Sequence, residues 1–185
     1  AKQMVKYVRD NDFTPEPELS AQECADIIYA PVKRYHEFVG QSTAADVNPN
    51  YCKPAGLMMR LMKATDEYGG GVATYYMTSG KLLHICMDLL EMLREDADKM
   101  AAGDLHELLR AWENYHRIWC VESHIRHILF REESRYPGFY YRSDYPTCDD
   151  ENSKCFVNST FDPKSQEWKV EKVDMVNIIE TDPWL

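Results

Sequence analysis

Apolar positions recur at helical spacing over most of the chain. From Pro54 to Glu67, the residues Leu57, Leu61 and Ala64 share one side with Met58 and Met62, behind a proline suited to a first turn. This predicts a helix that the run Gly69-Gly70-Gly71 stops, as a flexible interhelical turn. Between Ser79 and Met100 a wider stripe of Leu82, Leu83, Cys86, Leu89, Leu90, Leu93 and Ala97 opposes Glu91, Arg94, Glu95, Asp98 and Lys99, the pattern of an amphipathic helix on a core. Gly103 ends the connection and Asp104 caps the next helix. Its expected core face is Leu105, Leu108, Leu109, Trp112, Tyr115, Trp119, Ile125, Ile128 and Leu129, running without a break into an arginine- and tyrosine-rich loop over roughly 45 Å.

Towards the N-terminus, Ser20-Ala21-Gln22-Glu23 is a capping box that starts a helix at about Ser20. Pro31, ten residues on, lacks a backbone donor and predicts a break or kink, with a second short helix to about Phe38. The period changes in the tail. The segments 155–161 and 167–173 alternate in polarity around the turn-prone Asp162-Pro163-Lys164-Ser165-Gln166 and predict a hairpin. The expectation is a mainly α fold, a helical bundle of three to five helices with a short C-terminal β-hairpin. It forms a single domain over 1–185, with an entry segment at 1–19, helices at 20–135, and a loop and hairpin tail at 136–185.

A chain of 185 residues buries roughly 70% of its unfolded surface, enough for a core. Its 31 acidic and 21 basic side chains give a formal net charge of −10, which repels a phosphate backbone, so nucleic acid is not an expected partner. No apolar run reaches the roughly 20 residues that span a bilayer, and the first residues lack the apolar core of a signal peptide, so the expectation is a cytoplasmic chain without membrane insertion. The six cysteines are widely separated and form no zinc or iron–sulfur spacing. Cys24, Cys52, Cys86 and Cys120 read as small core residues, and Cys148 and Cys155 as candidate exposed thiols. The first residue is Ala1, as in a piece of a longer protein or after loss of an initiator methionine.

Candidate chemistry is sparse. Glu113 and His116 share one helix face in the Glu-x-x-His spacing of di-iron bundles, but those bundles need a second copy and none is present. His124 and His127 could together ligate one ion, yet beside Arg126 and Arg131 they read better as solvated or interface residues. The glycine run lacks the strand–turn–helix context of a phosphate cradle. Trp112, Trp119, Met58, Met59 and Met62 read as core filler. What remains is Arg131, Arg135 and Arg142 with Glu133, Asp144, Asp149 and Asp150. Arginine forks pair with carboxylates bidentately and stack on rings, which suits either an interface or a self-contained network.

The same stretch carries a resemblance. Glu133-Ser134-Arg135, Arg142-Ser143-Asp144-Tyr145-Pro146 and Asp149-Asp150-Glu151-Asn152 resemble the C-terminal signature of flavoprotein subunits of the succinate dehydrogenase and fumarate reductase superfamily. Further blocks at Val47 to Tyr51, Asp66 to Val72, Asp104 to Asn114 and Tyr136 to Arg142 are similar to the alpha subunits of adenylylsulfate reductase. Tyr136-Pro137-Gly138 stands where succinate dehydrogenases usually carry Gly-x-His, a departure that favours the adenylylsulfate branch.

The resemblance implies a C-terminal helical domain of a larger flavoprotein. The parent enzyme would reduce adenylylsulfate by two electrons to sulfite and AMP, or run the reverse, at FAD. Its partners would be the FAD-binding and capping domains of the same polypeptide and an iron–sulfur beta subunit carrying clusters. This chain would hold no catalytic residue, no cofactor and no metal, and Arg131, Glu133, Arg135, Arg142 and Asp144 would dock it to the flavin domain. The alternative is a free-standing acidic helical interaction module without enzymatic activity.

Overall fold

The computed structural model describes residues 5–6, 9–10, 19–39, 52–102, 104–135 and 140–175, with the backbone alone for 31–39. The resemblance blocks at 47–51 and 136–139, Gly103 and the proline-bearing entry at 14–18 fall wholly or partly outside them. Contacts divide the chain into two units, Ala1–Arg34 and Tyr35–Leu185.

In the first unit, helix α1 (Ala21–Val39, which continues into the second) begins as expected. The Ser20 amide donates to Glu23 Oε2 at 2.7 Å and the Glu23 amide donates to Ser20 Oγ at 3.2 Å, satisfying two first-turn amides reciprocally. The break expected at Pro31 is absent: one helix spans the position. Pro31 deletes one backbone hydrogen bond at a cost of about 3 kcal/mol, and helix-forming residues on both sides carry the helix through.

The second unit is built on three helices, α2 (Pro54–Tyr68), α3 (Gly80–Ala97) and α4 (Leu105–Phe130). Ser79 caps α3 by accepting from the Leu82 amide, and Asp104 caps α4 by accepting from the Glu107 amide at 2.8 Å. The shared core is Leu57, Leu61 and Ala64 of α2, Leu83, Cys86, Leu90, Leu93 and Ala97 of α3, and Ala111, Ile118, Ile125 and Ile128 of α4, closed by Met100. Burial pushes the Cys86 thiol up to about 11, so this cysteine is a core filler with little thiolate.

Three core assignments differ from expectation. Helix α4 buries Ala111, Asn114, Ile118, Glu122, Ile125 and Ile128, while Leu105 and Leu109 are exposed. Its aromatic residues sit at the flank of the stripe, and small and polar residues hold the centre because Asn114 donates to the Pro54 carbonyl at 2.6 Å and Glu122 is paired. Met59 and Met62 are exposed. Cys120 is exposed as well, on the face of α4 away from the stripe. The helix ends at Phe130, where Arg131 turns extended, so the arginine cluster lies on a loop.

The tail forms the expected hairpin, β3 (Phe156–Asp162) antiparallel to β4 (Glu167–Val173), with Asp162 paired to Glu167 at the turn. It seats on α4 through Trp119, Phe161 and Trp168, whose rings lie 4.6 to 6.0 Å apart. A second pairing was not expected: β1 (Met77–Thr78) runs parallel to β2 (Tyr141–Arg142) and brings the loop after α4 to the start of α3.

The turn after α2 is pinned. The Gly69 amide donates to the Thr65 carbonyl at 2.8 Å, the Gly71 amide to the Asp66 carbonyl at 3.0 Å and the Ala73 amide to Asp66 Oδ1 at 3.1 Å. Gly70 is left-handed at φ 88°, and a Cβ on Gly71 would lie 2.1 Å from Asp66 Oδ1. The flexibility expected of three glycines is therefore spent on close packing.

Candidate functional site

Helix α4 ends at Phe130, and the chain beyond it folds back to form two buried charge nodes, while a third lies between α3 and α4. The first is Glu133, whose side chain is fully buried. Arg131 Nη2 donates to its Oε1 at 2.7 Å, and Arg135 forks onto both oxygens at 2.9 and 2.7 Å. The Asp149 amide donates to Oε2 at 3.1 Å. Burial alone pushes the Glu133 carboxyl up, but the bonds from Arg135, Arg131 and Asp149 outweigh it and hold it below the ordinary range. Arg131 also donates to the carbonyls of Ser153 and Cys155, and Arg135 to Asp150, so the node ties residues 131–135 to residues 149–155.

The second node is the Arg142–Asp144 fork. Arg142 is almost fully buried, donates to both oxygens of Asp144 at 2.8 and 2.6 Å, and donates to the Ile128 carbonyl at 2.7 Å. That last bond satisfies a carbonyl that the end of α4 leaves unpaired. Asp144 in turn accepts from the Gly80 amide at 2.8 Å, at the N-terminus of α3, where the helix dipole favours a carboxylate. The Arg142 fork, with the Gly80 amide, holds the Asp144 carboxyl at about 2. Ser134 locks the strand between the nodes by accepting from the Arg142 amide and donating to the Tyr145 carbonyl.

The third node escaped the sequence reading. Glu122, buried in the stripe of α4, is held by Arg94 of α3 and by Arg126 Nη2 at 2.7 Å. Arg94 lies over the Trp119 ring at 4.5 Å and Arg126 over Trp168 at 5.7 Å, joining the ion pairs to the hairpin's aromatic seat. The available signal was a carboxylate at a core position four residues before an arginine.

All five candidate docking residues, Arg131, Glu133, Arg135, Arg142 and Asp144, are thus brought together, and most of their donors and acceptors are used within the chain. The candidate metal residues are not gathered. Glu113 pairs with Arg110 and Arg117, His116 stacks near Trp112 and Tyr115, and His127 Nδ1 lies 2.6 Å from the Ser123 carbonyl. Among the described residues no three His, Cys, Asp or Glu side chains are grouped to hold a metal. The glycine run offers no phosphate cradle, since the Asp66 carboxylate occupies the face of Gly71. No described helix is long and apolar enough to cross a membrane.

No protein-family model matches the chain. It is 56% identical over 182 residues to the adenylylsulfate reductase subunit alpha of Megalodesulfovibrio gigas, a match that takes in 98% of the chain and 27% of that relative. Among solved structures it superposes on adenylylsulfate reductase from Archaeoglobus fulgidus with a TM-score of 0.77 and 46% identity, over 98% of this chain and 28% of that one. A quinol fumarate reductase chain from E. coli shares the fold, at a TM-score of 0.62 and 18% identity over 89% of this chain and 27% of that one. The chain therefore spans about a quarter of the length of the relatives it matches.

Proposed function

We propose that this chain, homologous to part of the adenylylsulfate reductase alpha subunit, is the C-terminal helical domain of such a subunit and serves it structurally. The parent polypeptide would carry out the two-electron interconversion of adenylylsulfate with sulfite and AMP at a flavin. Electrons would come through an iron–sulfur beta subunit, in the cytoplasm. The observation that carries this reading is the 98% coverage of the chain at 56% identity by the relative from Megalodesulfovibrio gigas. A related solved structure is described as holding a covalent adduct with sulfite.

The glycine run of the described residues does not suit a flavin pyrophosphate. The one glycine run in the described region is filled by Asp66, and a carboxylate there repels a pyrophosphate. FAD would be held by the FAD-binding and capping domains of the same polypeptide, and no step of the chemistry is assigned to this chain. Its contribution is the pair of tied segments Arg131–Arg135 and Arg142–Asp144. Glu133 and Arg142 shape them from inside, and Arg135 and Asp144, each partly exposed, present their edge to the flavin domain. In the full-length subunit, Arg135→Ala weakens domain docking, read as faster loss of FAD on dilution and a lower thermal midpoint. Unchanged flavin content and midpoint would overturn the docking role.

A further inference from the structure

The face of the second unit that carries the α2–α3 turn is apolar in a chain whose net charge is −10. A groove of about 800 Å³ opens between α2, the turn and α4, lined by Met58, Met62, Val72, Tyr76, Cys120 and Val121 among others. Met62 is 58% exposed and Val72 68%, and Tyr75 at the rim is 82% exposed. The charged side chains at the edge are already engaged within the chain, Lys63 with Glu67 and Arg117 with Glu113. Asp66, also in the lining, accepts from the Ala73 amide, so an occupant of this groove meets mainly apolar surface with its charged groups at the edge.

The backbone that presents this face is strained. Tyr75 and Tyr76 are consecutive left-handed residues, at φ 54° and 61°, a conformation that costs a tyrosine energy. Asp66 holds the preceding turn through the Gly71 and Ala73 amides, so the two rings are displayed at fixed positions. The Tyr141 amide donates to the Tyr76 carbonyl at 3.3 Å, and β1 pairs with β2, which ties the face to the Tyr141–Asp144 segment.

We infer that this groove and the Tyr75–Tyr76 turn form a docking surface for an apolar face of the flavin-bearing part of the same polypeptide. The inference rests on the proposed function, which it extends from the charged loop to a second, apolar contact. Exposed apolar patches rimmed by polar groups mark interaction sites. The occupant is assigned from two facts: the matched relatives carry nearly three quarters of their length outside the matched region, and a second copy of a −10 chain is repelled by its own charge.

The test is oxidative footprinting of the full-length alpha subunit, purified without its partner, with mass spectrometry of Met62 and Tyr75 in the native and the urea-unfolded protein. A covered groove protects both residues by about tenfold or more on folding, whereas an open one gives less than about twofold, as their 58% and 82% exposure here dictates. Protection below about tenfold, or protection that develops only when the iron–sulfur subunit is added, overturns the inference. The reading on which it rests is scored separately in the same sample, because a purified polypeptide that holds no flavin fails that reading whatever Met62 and Tyr75 report.

Discussion

Glu133 and Asp144 are both carboxylates held by arginine forks, but they respond differently to change because their surroundings differ. Glu133 is fully enclosed between two guanidinium groups, so Glu133→Gln leaves Arg131 without its counter-charge and Arg135 with only the exposed Asp150. Removing one partner of such a buried network costs about 3–5 kcal/mol, measurable as a lowered denaturation midpoint. Asp144 is about one-third exposed and its role is read best through pH. Its carboxyl titrates at about 2 when folded, against an ordinary value near 4. The stabilisation it gives is therefore fully present above about pH 4 and is lost as pH falls through about 2. Asp144→Asn should lower stability at neutral pH and flatten the acid limb between those values, in urea titrations across pH compared with the unsubstituted protein. An unchanged acid limb would mean that Asp144 contributes no linkage. The members of the cluster could be named from the sequence because arginine and carboxylate types gather there, but not which pairs with which. That Arg142 caps the carbonyl end of α4 and Asp144 the amide end of α3 could not, since both contacts depend on chain reversal.

Among the elements, α2, α3 and the hairpin were legible because each has a period that no competing pattern contradicts, and because Pro54 and Ser79 mark the starts of the two helices. Helix α4 was placed correctly but rotated. Tryptophan and leucine outweigh alanine in any reading of apolar stripes, yet close helix packing selects the small Ala111 and the satisfied Asn114 and Glu122 for the centre. The β1–β2 pairing was invisible, because two residues carry no alternation and their partners are over sixty positions apart. The hairpin's attachment offers a test. Trp168 sits against Phe161 and Trp119 and beneath Arg126, while the two strands alone make a ribbon that is marginal in water. Trp168→Ala should cost about 2 kcal/mol, below the range for a fully buried tryptophan because this ring is half-buried. The local consequence is faster proteolytic cleavage in the turn at Asp162 to Gln166, with the helical circular-dichroism signal retained. A cleavage rate unchanged from the parent would show that the hairpin is held by something other than the aromatic seat.

At the scale of the whole molecule, the three charge nodes and the apolar groove divide the labour. The nodes consume most of their own donors and acceptors, the buried Arg94 Nε excepted, and the groove keeps its apolar surface open. A free-standing acidic module could use the first arrangement, but the second leaves Met62, Val72 and Tyr75 in water, a liability that a covering domain removes. The resemblance quoted from sequence blocks located the parent family. Neither periodicity nor composition located the groove, because exposure of a methionine is decided by which helix packs beside it. This division of labour makes a prediction about cofactor. If flavin binding belongs wholly to the remainder of the polypeptide, the 185-residue chain, with its helical signal verified by circular dichroism, should leave the fluorescence of added FAD unquenched. The full-length subunit should quench it. Asp66 supplies the control. Asp66→Ser removes the carboxylate from the face of Gly71, and if only charge and crowding kept a phosphate out of that turn, the variant would begin to quench. Continued lack of quenching in both forms would place the pyrophosphate site in another domain. Quenching by the unsubstituted chain would bring the cofactor into this one and overturn the structural role assigned to it.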